Sequence, residues 1–369
     1  MKPILFNSLT WGALLTLVLA GCGGGGGSGS TAGLDRLAPV TGAKADLSNT
    51  TTINNVSKDA ATNATSDSVN LNTQGNGFAG LVGVDGNASV GRQIQWSELA
   101  QKLVQATFQP AAKQVKAVAA ANTSSTESCD LGGTMRINAS LQSSYTLNQD
   151  DYIQVDLQNC DMGTYNAPLV MNGTLRMSIV AGYNISPYSL TGVTIGFEVL
   201  PLVVRTSNNS TSMDATLDGG FKITFLNPSI FQLALMSGYS GLTQASNVNG
   251  TSIRSTLSDF DFTISNVLSS TVNLSGKATV DTTRINALGP AQYSWTTPVS
   301  TSLAYNTATD MITGGTLLLT SQANSSRVRL GFGQSCQSTN TCVLMEKDSG
   351  NGSFAPTNTY TWDEFSKLQ

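Results

Sequence analysis

The chain has 369 residues, only 11 % of them charged, with 19 Lys plus Arg against 23 Asp plus Glu and a net charge of −4. A mildly acidic chain without a basic run excludes nucleic acid as a partner, because phosphate binding draws on clustered Lys and Arg. It contains no histidine, which excludes Ser-His-Asp and Cys-His nucleophile systems and every metal site that needs imidazole.

In chain order, the first element is a positive start (Met1, Lys2), an apolar run from Leu9 to Leu19 and the tetrapeptide Leu19-Ala20-Gly21-Cys22. The run is too short and too broken for the roughly 20 apolar residues that cross a bilayer. It has the layout of an export signal. The L-A-G-C motif resembles the lipobox of bacterial type II, lipoprotein signal peptides. That resemblance implies a signal peptide over residues 1–21, cleavage before Cys22 and a diacylglyceryl group, with further acylation such as palmitate, on Cys22. Similar lipoproteins without Asp after the cysteine are sorted to the outer membrane, and here Gly23 follows. The implied partner is therefore a membrane, held through the lipid on Cys22. Each buried CH₂ contributes about 0.8 kcal/mol, so two or three acyl chains anchor where one does not.

Residues 22–93 open with five glycines, carry long polar stretches and contain one aromatic, Phe78. So little apolar surface predicts a loose, lipid-anchored tether. Gly75 to Gly80 matches G-x-G-x-x-G, but without a strand before it the dinucleotide reading fails. Over 94–122, Trp96, Leu99, Leu103, Val104 and Phe108 recur at helical spacing, with Pro110 as an interruption. The spacing predicts a short helical lead-in, packed on a β-body rather than lying on a membrane.

From 123 to 369 the period is two. Met135/Ile137/Ala139/Leu141, Ile153/Val155/Leu157, Leu175/Met177/Ile179 and Val193/Ile195/Phe197/Val199 alternate with polar residues. Phe221/Ile223/Phe225, Phe260/Phe262/Ile264, Val272/Leu274, Thr316 to Leu319 and Val328/Leu330/Phe332 continue the series. Asn172-Gly173 and Asp218-Gly219-Gly220 read as turns between strands. One buried and one wet face is the mark of antiparallel sheet. The expected fold is all-β, mainly antiparallel: a large β-sandwich, curved sheet or barrel-like body with a short N-terminal helical segment. Thr361 and Glu364 sit at capping-box spacing and predict a last helical turn.

Once Cys22 carries lipid, Cys129, Cys160, Cys336 and Cys342 remain. An even number in an exported chain reads as disulfides; three pairings exist, and proximity favours Cys129–Cys160 and Cys336–Cys342. A Cys₄ metal site would use C-x-x-C pairs, which are missing. No cofactor is expected.

Cys129-x-x-Gly132-Gly133-Thr134, Asn159-Cys160, Asn172-Gly173-x-Leu175 and Asp348-x-Gly350-x-Gly352 before Trp362 together resemble a group of uncharacterised proteobacterial lipoproteins. The resemblance spans most of 129–365, implies no activity and rests on turns and cysteines. Asp348 to Gly352 has one carboxylate where a calcium loop uses several, so a turn is expected.

Paired carboxylates are the one catalytic constellation left: Asp150-Asp151, Asp259/Asp261 and Asp363-Glu364. Each is expected to be solvated surface or a cap, and the chain is expected not to be an enzyme. Tyr293, Trp295 and Tyr305 are candidates for stacking on a ligand such as a sugar ring, against the plainer expectation of packing between strands. These readings together point to a lipid-anchored envelope protein with a non-catalytic structural or binding role toward a glycan, lipid or protein. The alternative is a periplasmic carrier of an apolar ligand inside a curved sheet. A carboxylate-based glycan hydrolase is weaker still.

Overall fold

A computed structural model describes residues 36–69 and most of 121–368, without several connections such as 143–147, 162–168, 182–190, 208–211, 284–288 and 337–339. The fold is all-β and antiparallel. Among the described residues sixteen strands form one sheet. They are β1 (Ala121–Ser128), β2 (Thr134–Leu141), β3 (Tyr152–Asp161), β4 (Leu169–Ala181), β5 (Thr194–Ser207) and β6 (Ser212–Asn227). Next come β7 (Ile230–Leu235), β8 (Leu242–Val248), β9 (Thr251–Ser265), β10 (Thr271–Thr282) and β11 (Ala291–Thr297). The last are β12 (Leu303–Asn306), β13 (Met311–Thr320), β14 (Arg327–Cys336), β15 (Asn340–Asp348) and β16 (Ala355–Thr361).

Each strand pairs with its neighbour in sequence, with two exceptions. β7 and β8 lie end to end between β6 and β9, and β11 and β12 share the place between β10 and β13. The result is a meander with β1 and β16 at its edges, which selects the curved sheet over a sandwich. One face of every strand from β2 to β15 feeds a single hydrophobic core. A one-sided sheet can bury that face in one cluster only by curling around it. Within the core Phe262 stacks on Trp295 (centroids 5.3 Å apart, rings 3° from parallel) and Phe197 on Phe221 at 5.0 Å.

Two expected turns are instead bulges inside long strands. Asn172-Gly173 lies within β4 and Asp218-Gly219-Gly220 within β6. Gly173 has φ +127°, and a Cβ there would stand 2.0 Å from the carbonyl oxygen of Pro201. Register shifts at Gly173/Thr174, Val199/Leu202 and Lys277/Thr279 bend neighbouring strands, and such bulges are how a long sheet acquires curvature.

The loose tether is corrected over 36–69. Residues 50–69 form a helix, α1 (Thr50–Val69), in which Ile53, Asn55, Val56, Ser57, Ala60 and Ala61 are all buried. At about 100° per residue Ile53, Val56, Ser57, Ala60 and Ala61 share one side and Asn55 lies opposite, so this half of the helix is deeply seated while Thr50 and Thr51 stay exposed. It packs on β10, β13 and β14, and the Tyr293 hydroxyl on β11 donates to the Asp59 carboxylate. Asn49 starts α1 by accepting from the backbone N–H groups of Thr51 (2.9 Å) and Thr52 (3.2 Å), as an N-cap does. Small side chains such as Ser57, Ala60 and Ala61 fill this space, so a segment poor in large apolar residues is nevertheless part of the body. Of the proposed helical lead-in, 94–120 lies outside the described residues; Ala121 and Asn122 already belong to β1. The final turn α2 (Trp362–Ser366) has the expected capping box between Thr361 and Glu364, and Phe365 packs on Phe332.

Candidate functional site

Residues 36–45 form a strap across the outer face of the sheet. Beneath them Asp218, Thr243, Thr256, Asp281 and Gln292 stand in one cross-strand row over β6, β8, β9, β10 and β11. The backbone N–H groups of the strap donate into that row: Leu37 to Asp218 (2.7 Å), Val40 to Thr256 (2.8 Å) and Gly42 to Asp281 (3.0 Å). Ala45 donates to the Gln292 carbonyl at 2.8 Å, and the Gln292 N–H returns to the Ala43 carbonyl at 2.7 Å. Gly42 is required here, since a Cβ would meet the Ala291 carbonyl oxygen at 2.4 Å. The chain then passes the 321–326 turn, where the Ser321 hydroxyl donates to the Ala45 carbonyl (2.8 Å), and enters α1 on the core side.

The start of the strap joins a line of polar groups on the same outer face. Arg36 donates to both Asp218 carboxylate oxygens at 2.7 and 2.8 Å. Asp218 is buried, only 3 % exposed, while Arg36 is half exposed. Arg36 lies over the Tyr239 ring, 6.0 Å from its centroid. Burial, and then the negative charge of Glu198, raise the Tyr239 phenol above its ordinary value. Glu198 faces Arg176 across β5 and β4 at 3.8 Å. Arg176 rests on the Tyr152 ring, 4.4 Å from its centroid. Beside it the Asp156 carboxylate accepts from Thr174 (2.7 Å), Gln154 (2.9 Å) and Asn138 (3.1 Å).

Tyr239 reaches this line because the 236–241 loop lies back on the sheet over two glycines. A Cβ at Gly220 would stand 2.6 Å from the Tyr239 ring, and one at Gly196 would stand 3.0 Å from the Met236 methyl. Any larger side chain at Gly220 would lift the loop.

The residues singled out from sequence fall elsewhere. Tyr293, Trp295 and Tyr305 are core, at 0, 1 and 5 % exposure, which corrects the ligand-stacking platform. All three project from the apolar side of β11 and β12, where Phe262 and the Asp59 carboxylate meet two of them. Cys129 and Cys160 form a disulfide with Cα atoms 5.3 Å apart. Gly133 belongs to the same turn, and a Cβ there would overlap the Asn159 carbonyl. Cys342 is also disulfide-bonded; the side chain of Cys336, and all of Cys22, lie outside the described residues.

Each carboxylate pair has at least one engaged member. Asp151 is buried and accepts from the N–H groups of Gln142 (2.8 Å) and Asn148 (2.9 Å). Asp259 pairs with Lys277 at 2.7 Å and Asp261 accepts from Gln232 at 2.9 Å. Asp363 pairs with Lys367 at 2.6 Å, and Glu364 closes the α2 cap. Among the described residues no group of three metal-binding side chains occurs, and no helix is long and apolar enough to cross a membrane.

Alternation alone does not show that register aligns Gln154, Arg176 and Glu198 across β3, β4 and β5, nor that Arg36, 182 positions before Asp218, completes the line. No family model matches the chain, and no curated protein or solved structure matches it.

Proposed function

We propose that this chain is a lipid-anchored protein of the bacterial outer membrane with a non-catalytic structural or binding role. The anchor rests on Leu19-Ala20-Gly21-Cys22. The observation that favours a structural or binding role over a carrier is α1. A carrier needs its interior for cargo, whereas the buried side of this helix occupies the core side of β10, β13 and β14. A hydrolase needs two carboxyls free to face a substrate, and in each of the three carboxylate pairs at least one member is tied to a turn, a cap or a cation.

The strap shortens the leash. Cys22 and Arg36 are 14 positions apart, so the folded body stays within about 50 Å of the bilayer at an extension of roughly 3.5 Å per residue. The test is mass spectrometry of the N-terminal peptide from native membranes, together with fractionation of Cys22→Ser. The expected result is an acylated Cys22 and release of the variant into the soluble fraction. A free thiol at Cys22, or a retained leader, refutes the anchor.

A further inference from the structure

We propose that the outer face of β3–β5, walled by Tyr239, is a binding shelf for a polysaccharide chain. This deepens the proposed binding role and rests on it. The shelf is a register-aligned row of planar polar groups, with Gln154 opposite Arg176 and Arg176 opposite Glu198. Tyr239 closes one end over Gly220, and Tyr152 supports Arg176 from the other side.

Three features point to hydroxyl-rich ligands. First, capacity is left over. Arg176 is 40 % exposed and its 3.8 Å separation from Glu198 exceeds hydrogen-bond length; its Nε is buried without a partner among the described residues, so it is the outer nitrogens of the guanidinium that face a ligand. The guanidinium therefore has N–H donors to give and the Glu198 carboxylate has lone pairs to receive. A sugar hydroxyl donates and accepts at once, so it suits such a pair. Second, the formal charges on the shelf carry no positive excess, with Arg176 and Arg36 against Glu198, Asp156 and Asp218, which disfavours polyphosphates and nucleic acid. Third, the groups are held in place before any ligand arrives. Asp156 is fixed by three donors, Arg176 by the Tyr152 ring, and Tyr239 by Arg36 over its ring and by its seat on Gly220. Preorganised side chains lose little entropy on binding. A peptide adding as a strand is excluded at this place, since β3, β4 and β5 have paired neighbours on both sides.

The test uses the full lipidated chain in detergent, with two probes. One is insoluble peptidoglycan sacculi, read by co-sedimentation. The other is glycan strands freed of their stem peptides by an amidase, read by calorimetry. Binding to both is expected, weakened at least ten-fold in Arg176→Ala and in the near-isosteric Glu198→Gln, and unchanged in Lys277→Ala on another part of the same face. Near-UV circular dichroism checks that each variant is folded. Absence of binding to either probe overturns the proposal, as does binding indifferent to both shelf variants. Binding to sacculi but not to bare strands identifies a peptide ligand, and overturns the polysaccharide while leaving the binding role. Loss of the anchor is read separately, from the mass of the Cys22 peptide.

Discussion

Asp348 shows how one buried carboxylate can organise a turn. It is fully buried, receives Arg327 from β14, and accepts from the N–H groups of Gly350 (2.8 Å), Asn351 (3.0 Å) and Gly352 (3.0 Å). Gly350 and Gly352 have φ of +99° and +87°, the left-handed region that Gly enters without a Cβ penalty. The D-x-G-x-G spacing is thus a turn, and its single carboxylate is taken up by donors. The Arg327 guanidinium, helped by the Gly350 and Gly352 N–H groups, holds the Asp348 carboxyl below its ordinary value of 3.8. A folded-state value below the unfolded one means stability that is full above the unfolded value and lost as pH falls through the folded one. Asp348→Asn is therefore expected to be less stable than wild type at pH 7, with the gap narrowing below about pH 4. Urea denaturation at a series of pH values checks this; a gap constant from pH 7 to pH 2 contradicts it.

At the scale of elements, α1 is the part that belongs to the folded body against expectation. Ile53 is 5 % exposed within the shared core. Truncation of such a side chain leaves a cavity costing about 2–5 kcal/mol. Ile53→Ala should lower the urea midpoint of the whole sheet with an unchanged slope, whereas a loose tether would leave the midpoint where it was. The difference in legibility between α1 and the strands has a physical cause. β3, β4, β9 and β14 announce themselves because large apolar residues alternate with polar ones, and that alternation follows directly from which face is wet. α1 carries only Ile53, Val56, Ala60 and Ala61 among polar residues in its buried half, too thin a stripe to count as amphipathic. Its one local signal was Asn49 as N-cap, followed by Ile53 and Val56. Strands such as β7 and β12 were missed because six and four residues offer too few alternations. The shelf was legible strand by strand, but cross-strand register depends on bulges at Gly173 and after Val199, which a pattern of two cannot reveal.

For the molecule as a whole, the strap decides how much of the chain counts as body. It buries no large apolar residue, and its attachment is a series of backbone N–H groups received by Asp218, Thr256 and Asp281. Asp218 anchors the first of these and the Arg36 pair together. Removing a buried acceptor leaves its donors unsatisfied, at about 1–3 kcal/mol. Asp218→Ala should therefore free residues 36–42 while α1 stays seated. Limited proteolysis should then cut after Arg36 in the variant and spare that bond in wild type. Equal cutting in both would mean that the strap is not held by this carboxylate.

The long reach of that attachment sets an order of assembly. Arg36 waits for Asp218, Asp59 for Tyr293 and Ala45 for Ser321, partners that follow 182, 234 and 276 positions later. Contacts so distant in sequence are slow to close. The segment synthesised first must dock last, after most of the meander has formed and curled. Until then the seat of α1 stands open, and the newborn chain presents an apolar interior to whatever surrounds it.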